Sequence, residues 1–138
     1  MTAPTSRSQP AATLVLALIL GLATLPACDG GEAAPELHAM TPAELSGALA
    51  SKDFLLINVH IPYDGEIAGT DTHIAYTDID GLVDYIGPDL GTRVVIYCKS
   101  DHMTDSAGPE LVARGYREIY YLAGGMNAWT AEGYTLEP

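Results

Sequence analysis

The chain has 138 residues, a size that suits one domain of ordinary dimensions. Its 18 acidic residues outnumber 6 basic ones and give a formal net charge of −12. A surface of that charge repels nucleic-acid phosphates, so binding of DNA or RNA is disfavoured, and it also repels small anions at long range.

The first 28 residues have the pattern of an export signal. The apolar run from Ala11 to Leu25 is too short for a comfortable transmembrane helix, which needs about 20 residues, but it fits a secretory signal. Residues 25–28 (Leu-Pro-Ala-Cys) are similar to a bacterial lipoprotein box, in which Cys28 is lipidated and becomes the new N-terminus. We therefore expect an exported cell-envelope protein held at the membrane by a lipid anchor only. An ordinary signal peptide, cut near Ala27 to leave a soluble exported protein, is the alternative.

The segment after the signal, residues 29–39, reads D-G-G-E-A-A-P-E-L-H-A. It is rich in small and acidic residues and has no apolar periodicity, which predicts a flexible tether. Residues 40–138 remain, about a hundred residues, which is enough for one domain with a single core. The sequence shows no internal repeat.

Helical and strand patterns alternate within residues 40–138. Thr41, Pro42 and Glu44 predict a helix that begins with a capping box and a proline at its first position. Apolar runs predict buried strands over 54–59, 74–76, 94–97 and 119–122. Further helices are predicted over 81–86 behind an Asp80 cap, from about 105 or 106, and over 126–131. This alternation predicts an α/β fold with a parallel sheet.

Cys98 ends the apolar run 94–97 and opens a polar loop that leads into a helix. Backbone N–H groups can converge on one point at such a junction, and the positive end of a helix favours an anion. We therefore expect Cys98 to be biased toward the reactive thiolate, with a buried structural cysteine as the alternative. If Cys28 is lipidated, Cys98 is the only thiol left in an oxidising compartment, which favours a working cysteine. Pro109 is tolerated only in a first helical turn, so the helix after the loop is predicted to begin late.

Three motifs resemble the rhodanese-like domain, and together they span nearly all of residues 40–138. I-N-V-H at Ile57–His60 is similar to the family's strand that ends in D-V-R. Y-C-K-S-D-H-M-T at Tyr97–Thr104 is similar to its active loop, Y-C-x-x-G-x-x-S. L-A-G-G-M-N-A-W at Leu122–Trp129 is similar to its L-x-G-G-x-x-x-W block. The resemblance implies a single rhodanese-like α/β domain whose central parallel sheet has helices on both faces.

The resemblance also implies a sulfurtransferase without a cofactor. Cys98 would accept sulfane sulfur from a small sulfur-containing anion such as thiosulfate, or from a persulfide donor, and pass it to a nucleophilic acceptor, which can be a protein. The residues of the substrate-binding loop would be Lys99, Ser100, Asp101, His102, Met103 and Thr104. We expect the backbone N–H groups of Ser100 to Thr104 to converge on the sulfur, and Lys99 to add a cation.

The length of the loop argues against phosphate chemistry. Counted from Cys98 through Met103 it has six residues, similar to the sulfur-handling members, whereas the phosphatases of this fold have a longer loop. Cysteine enzymes that handle phosphate also place an arginine at the far end of the loop for bidentate contact. This chain has Met103 and Thr104 there, so a phosphatase or arsenate reductase is disfavoured.

Asp101 stands where the family's loop has glycine. Its carboxylate opposes a nearby thiolate and a doubly charged donor by like-charge repulsion, so we expect only weak transfer from thiosulfate. Asp101 therefore keeps a second hypothesis open, a non-catalytic rhodanese-like module that binds a partner protein or a small anion. A thiol redox role is a third possibility, but the chain offers no resolving cysteine.

The remaining polar candidates are assigned no site. His38, His60 and His73 share no metal-ligand spacing with Cys98, so no metal site is predicted. Asp64 belongs to an acidic stretch that is interpreted as a solvated loop.

Overall fold

The structure is a computed structural model, and it describes residues 34–138. The predicted export signal with its lipidation site Cys28, and residues 29–33 of the predicted tether, lie outside the described residues. None of the helices within residues 34–138 is long and apolar enough to cross a membrane.

Five parallel strands form one sheet. They are β1 (Leu37–Met40), β2 (Leu55–Asn58), β3 (Thr72–His73), β4 (Val94–Tyr97) and β5 (Ile119–Leu122). Their order across the sheet is β1-β5-β4-β2-β3, which makes β4 the central strand. All four residues of β4 are buried, as a continuous apolar run requires when helices cover both faces. The strands predicted over 94–97 and 119–122 are confirmed.

Four helices cover the sheet, two on each face. They are α1 (Pro42–Leu49), α2 (Ile79–Ile86), α3 (Thr104–Ala113) and α4 (Gly125–Ala131). Leu82 of α2 and Leu111 of α3 belong to one buried cluster, whereas Leu45 of α1 and Trp129 of α4 belong to a second. Alternate residues of β4 enter the two clusters, which confirms the predicted fold class of a parallel sheet with helices on both faces.

The predicted tether is too long at its C-terminal end. Leu37–Met40 form β1, which pairs in parallel with β5 at one edge of the sheet. The Leu37 side chain packs on α3, where a Cβ at Gly108 would lie 2.8 Å from either methyl carbon of Leu37. Backbone pairing and this single apolar anchor hold the segment, and neither produces an apolar period that the sequence could reveal.

The helix after the cysteine begins earlier than predicted. It starts at Thr104, so Pro109 is its sixth residue and lies inside the helix rather than in the first turn. Proline at this position leaves the carbonyl of residue 105 without its helical partner. Both Asp105 and Pro109 are exposed, so water can satisfy that carbonyl and the helix continues to Ala113.

Other boundaries also differ from the prediction. The capping box of Thr41 and Glu44 is confirmed, but α2 is capped by Asp78, whose carboxylate accepts from the Gly81 N–H at 3.0 Å. Asp80 instead forms an ion pair with Arg114 at 2.9 Å. The strand predicted over 74–76 is displaced, since β3 covers the two residues before it.

Candidate active site

The candidate site lies where β2 and β4 end side by side. The two strands are parallel neighbours with Asn58 opposite Tyr97, and the Val59 N–H donates to the Tyr97 carbonyl at 2.8 Å. After β2 the chain proceeds to β3 on one side, and after β4 it proceeds to β5 on the other. In open α/β sheets, ligands bind in the crevice outside the strand ends where connections diverge in this way. Cys98 follows β4 directly into this crevice.

The Cys98 sulfur faces the core beneath the loop. Cys98 is a free cysteine, its exposed fraction is 1%, and it shares a cluster with Val59 and Ala107. Its Sγ donates to the Ser100 carbonyl at 2.8 Å. The predicted convergence of amides on the sulfur is therefore wrong for this state, because a neutral thiol is a donor and pairs with an acceptor.

The loop amides themselves are unused. Within residues 34–138, no acceptor receives the backbone N–H of Ser100, Asp101, His102 or Met103. No side chain caps the first turn of α3 either. These donors stand beside the sulfur in sequence, and together they suit an anion that is bound at the loop.

Asp101 and Thr104 fix the far end of the loop. The Asp101 carbonyl accepts from the Thr104 hydroxyl and from the Asp105 N–H, each at 2.8 Å. Thr104 is fully buried, and in this state its hydroxyl is engaged within the loop. His102 is exposed and Met103 is half-buried.

The glycine-rich turn before α4 holds the near end of the loop. The Met126 N–H donates to the Cys98 carbonyl at 2.8 Å, and the Asn127 N–H donates to the Lys99 carbonyl at 3.0 Å. A Cβ at Gly125 would lie 2.4 Å from the Cys98 carbonyl oxygen and 2.5 Å from that of Ser100. Only glycine permits this approach of α4 to the loop.

The side chain of Asp101 joins the two segments. Its Oδ1 accepts from the Gly124 N–H at 2.7 Å. The sequence indicates only that the carboxylate repels a thiolate or an anionic donor. The structure also gives it a charge-assisted hydrogen bond to the residue that precedes α4. Replacement of the family's glycine therefore adds a contact as well as a charge.

Lys99 is not an isolated cation. Its ammonium group forms an ion pair with Asp64, which lies in the connection between β2 and β3. The hydrogen bond and the charge of Lys99 hold the pKa of the Asp64 carboxyl below its ordinary value. Both side chains are 52% exposed, so the pair is a surface ion pair of small net energy. The stretch interpreted as a solvated loop thus supplies a direct partner to the candidate site.

Asn58 and His60 lie beside the segment that contains Asp64. The buried Asn58 side chain donates to the Gly65 carbonyl at 3.0 Å and accepts from the His60 N–H at 3.0 Å. Burial lowers the pKa of His60, and the nearby Lys99 and His73 act in the same direction while Asp64 opposes them. No partner for the buried Nδ1 of His60 is present among residues 34–138.

The candidate site combines residues that the sequence singled out with residues that it did not. The loop residues predicted to act together are together, next to the turn at Gly124 that the third motif supplies. Asp64 and His60 were assigned no role, and only the expectation that neighbouring parallel strands end at the same edge could have indicated them. His38 lies apart on β1, its ring 5.0 Å from that of Tyr120. No group of three metal-binding side chains occurs within the part of the chain described.

Two cavities of the fold lie away from this site. One of about 410 Å³ lies between α2 and the end of α3, beside Arg114 and Tyr116. Another of about 490 Å³ lies beside Lys52 and Arg93, at the edge where the strands begin. Neither contains Cys98 or its loop. These two cavities are therefore separate from the candidate site.

Comparison with known proteins agrees with this fold. The family model of the rhodanese-like domain matches residues 41–132. The thiosulfate sulfurtransferase GlpE of Stutzerimonas stutzeri (strain A1501) is 28% identical over 92 residues, which are 64% of this chain and 81% of that protein.

Solved structures show the same fold. A rhodanese-related protein of Thermoplasma volcanium has a TM-score of 0.61 at 20% identity, over 72% of this chain and 96% of its own. A thiosulfate sulfurtransferase of Pseudomonas aeruginosa has a TM-score of 0.62 at 20% identity, over 75% of this chain and 20% of its own. With the family model matched across both the cysteine loop and the glycine turn, the chain belongs to the family of rhodanese-like domains.

Proposed function

We propose that the protein is a sulfurtransferase in which Cys98 carries sulfane sulfur as a persulfide. The observation that carries the proposal is a free cysteine at the end of the central strand, under a loop whose N–H groups have no acceptor in residues 34–138. Membership of a sulfurtransferase family and similarity to a thiosulfate sulfurtransferase support the same chemistry.

The reaction divides into two displacements at sulfur. The Cys98 thiolate attacks the sulfane sulfur of the donor, a new S–S bond forms, and the donor's bond to that sulfur breaks. With thiosulfate the leaving group is sulfite, which departs with the bonding electron pair. A nucleophilic acceptor then attacks the outer sulfur of the persulfide and releases the Cys98 thiolate.

The loop has to change its contact with the sulfur during these steps. A thiolate cannot donate, so the contact from Sγ to the Ser100 carbonyl is lost when the proton leaves. Rotation of the peptide between Ser100 and Asp101 turns that carbonyl away from the sulfur and directs the unused Asp101 N–H toward it. The amides of the loop then stabilise the thiolate or persulfide anion, as pre-arranged donors do for developing charge.

The far end of the loop does not suit phosphoryl transfer. The Thr104 hydroxyl is already engaged with the Asp101 carbonyl, and Thr104 begins α3 directly. No side chain that could clamp a phosphate in a bidentate manner occupies this position. A sulfane sulfur needs no such clamp, because the covalent bond to Cys98 holds it.

The second candidate is a non-catalytic module that binds a partner protein or a small anion. The 1% exposure of Cys98 favours it, since a donor reaches the sulfur only when the loop moves. One measurement distinguishes the two functions. The full chain with Cys28→Ala, which retains Cys98 as its single thiol, is treated with thiosulfate or an organic persulfide, and its intact mass is recorded.

A sulfurtransferase gains the mass of one sulfur atom, loses it again to cyanide or a thiol acceptor, and turns over. The Cys28→Ala/Cys98→Ser variant is the control and should gain nothing. If the single-thiol chain stays unloaded by every donor, Cys98 is not a sulfur carrier and the binding module is the better account.

We also propose that the protein acts at the cell envelope, attached through lipidated Cys28. The apolar run and the Leu-Pro-Ala-Cys sequence before residue 29 support this. Several acyl chains would make the attachment stable, because one chain gives only marginal binding. Cys28→Ala should move the protein from the membrane fraction to the soluble fraction, and an unchanged membrane fraction would contradict lipidation.

A further inference from the structure

We propose that the donor at this site is an uncharged or cationic organic persulfide rather than a dianion such as thiosulfate. The inference rests on the proposed function of Cys98 and adds the substrate class. It is carried by the distribution of charge: the unused loop amides can hydrogen-bond an anion, but the charged side chains around them leave no excess positive charge for a dianion.

The first observation is the state of Lys99. It is the only lysine or arginine in the loop, and its ammonium group is paired with the carboxylate of Asp64. The pair is exposed and weak, but while it is formed the carboxylate of Asp64 offsets the positive charge of Lys99. A donor anion that recruits Lys99 must also approach Asp64.

The second observation is that the other cations within residues 34–138 are remote. Arg93 precedes β4 and lies five residues before Cys98, roughly 16 Å away along an extended strand. Arg114 and Arg117 follow α3, whose ten residues span about 15 Å from the loop. Lys52 precedes β2 and is paired with Asp71 at 2.6 Å.

The third observation is the negative charge within the loop. Asp101 places a half-buried carboxylate there, held in position by the Gly124 N–H. Asp105 adds an exposed carboxylate in the first turn of α3. Together with the Lys99–Asp64 pair, these residues give the loop a net negative charge. A dianion is therefore repelled where a neutral persulfide is not.

The chemistry of loading is complete for such a donor. The Cys98 thiolate attacks the terminal sulfur of R–S–SH, a new S–S bond forms, and the R–S bond to that sulfur breaks. R–S⁻ leaves with the bonding electron pair and takes a proton from solvent. The products are the Cys98 persulfide and R–SH, with no net oxidation.

The test uses donors matched in size and different in charge. The single-thiol full chain (Cys28→Ala) is loaded with the persulfides of cysteamine, mercaptoethanol and mercaptoethanesulfonate, and with thiosulfate. Each rate is divided by the rate of the same donor with a free small thiol, which removes intrinsic reactivity. We expect the order cationic, neutral, anionic, and a corrected rate for thiosulfate about tenfold or more below the neutral donor. When the Debye length is shortened from about 30 Å to about 3 Å by salt, the four rates should converge.

A charge-matched pair of variants locates the effect. Asp64→Asn can still accept from Lys99 while its negative charge is gone. It should raise the ratio of thiosulfate loading to neutral loading by roughly fivefold to tenfold. Asp84→Asn removes the same charge from an exposed position on α2, away from the site, and should leave the ratio unchanged.

The outcomes separate the two levels of the argument. If no donor loads Cys98, the proposed function fails and the inference with it. If all donors load it but thiosulfate matches or exceeds the neutral persulfide, with no response to salt or to Asp64→Asn, Cys98 remains a sulfur carrier and the assigned donor class is wrong.

Discussion

Gly125→Ala tests whether the contact of α4 with the loop sets the geometry of the site. A methyl group at Gly125 would lie 2.4 Å from the Cys98 carbonyl oxygen, 2.5 Å from that of Ser100 and 2.7 Å from the carbonyl carbon of Lys99. These are backbone atoms, so no side-chain rotation relieves the clash. Either the loop moves or the start of α4 withdraws, and both displace the peptides beside the sulfur.

The size of the effect follows from two separable terms. Gly125 has φ of +57°, and an alanine in the left-handed region costs about 1–2 kcal/mol. Withdrawal of α4 also weakens the two hydrogen bonds to the Cys98 and Lys99 carbonyls, each worth about 1 kcal/mol. We expect the free energy of unfolding to fall by about 3–4 kcal/mol, which lowers Tm by roughly 12–30 °C.

Gly133→Ala is the matched control, because Gly133 has φ of +90° and nothing lies within 4 Å of its Cβ position. It should show only the backbone term, about 1–2 kcal/mol. The assay is Tm by calorimetry, followed by the rate of sulfur loading at a temperature where both variants are folded. Loading should fall at least tenfold in Gly125→Ala and stay within about twofold of wild type in Gly133→Ala. Equal Tm losses and equal loading rates for the two variants would show that the contact has no role in the site.

Two further predictions concern charge. Asp101→Asn removes the carboxylate charge but can still accept from the Gly124 N–H, so thiosulfate loading should rise about threefold to tenfold at nearly unchanged Tm. Asp101→Gly also loses that hydrogen bond, so its Tm should fall. If Asp101→Asn is loaded more slowly than wild type, the repulsion argument is refuted. The pKa of His60 is lower in the folded protein than in the unfolded one, so the unfolded state binds a proton first as the pH falls. The free energy of unfolding therefore has its full value above about pH 6.5, the ordinary pKa of histidine, and declines as the pH falls through the folded pKa. Between about pH 7.5 and 5.5, wild type should lose more Tm than His60→Gln, and parallel losses would contradict the desolvation of this imidazole.

The parts of the fold that the sequence predicts are those whose pattern is local. Val94–Tyr97 is continuously apolar because the central strand is covered on both faces, so the run itself reveals the strand and its end at Cys98. The capping box at Thr41 is equally local, since its two partners are three residues apart. Signals of this kind depend on no other part of the chain.

The parts that could not be predicted depend on contacts between distant segments. The Lys99–Asp64 pair joins residues 35 positions apart, and nothing near either residue indicates the other. β1 is an edge strand that is held by pairing with β5 and by the packing of Leu37 on Gly108. Neither contact produces a periodic pattern of apolar residues in the sequence. The sequence places the start of α3 too late because proline is normally restricted to the first turn of a helix. Pro109 is exposed, so water can satisfy the carbonyl that loses its helical partner, and the sequence does not show that exposure.

The loop and the glycine turn act as one unit because of the geometry of the peptide group. The carbonyls of Cys98 and Lys99 are held by α4, and the Asp101 carbonyl is held by Thr104 and the start of α3. The C=O and N–H of a peptide unit point in opposite directions, so a carbonyl bound on one side turns its N–H to the other. The Ser100 carbonyl lies close to Gly125 but receives no hydrogen bond from α4 or α3, and it accepts from the Cys98 thiol instead. The directions of the amides are therefore set by α4 and the start of α3, and a substitution at Gly124 or Gly125 changes the loop around the sulfur without contacting the sulfur.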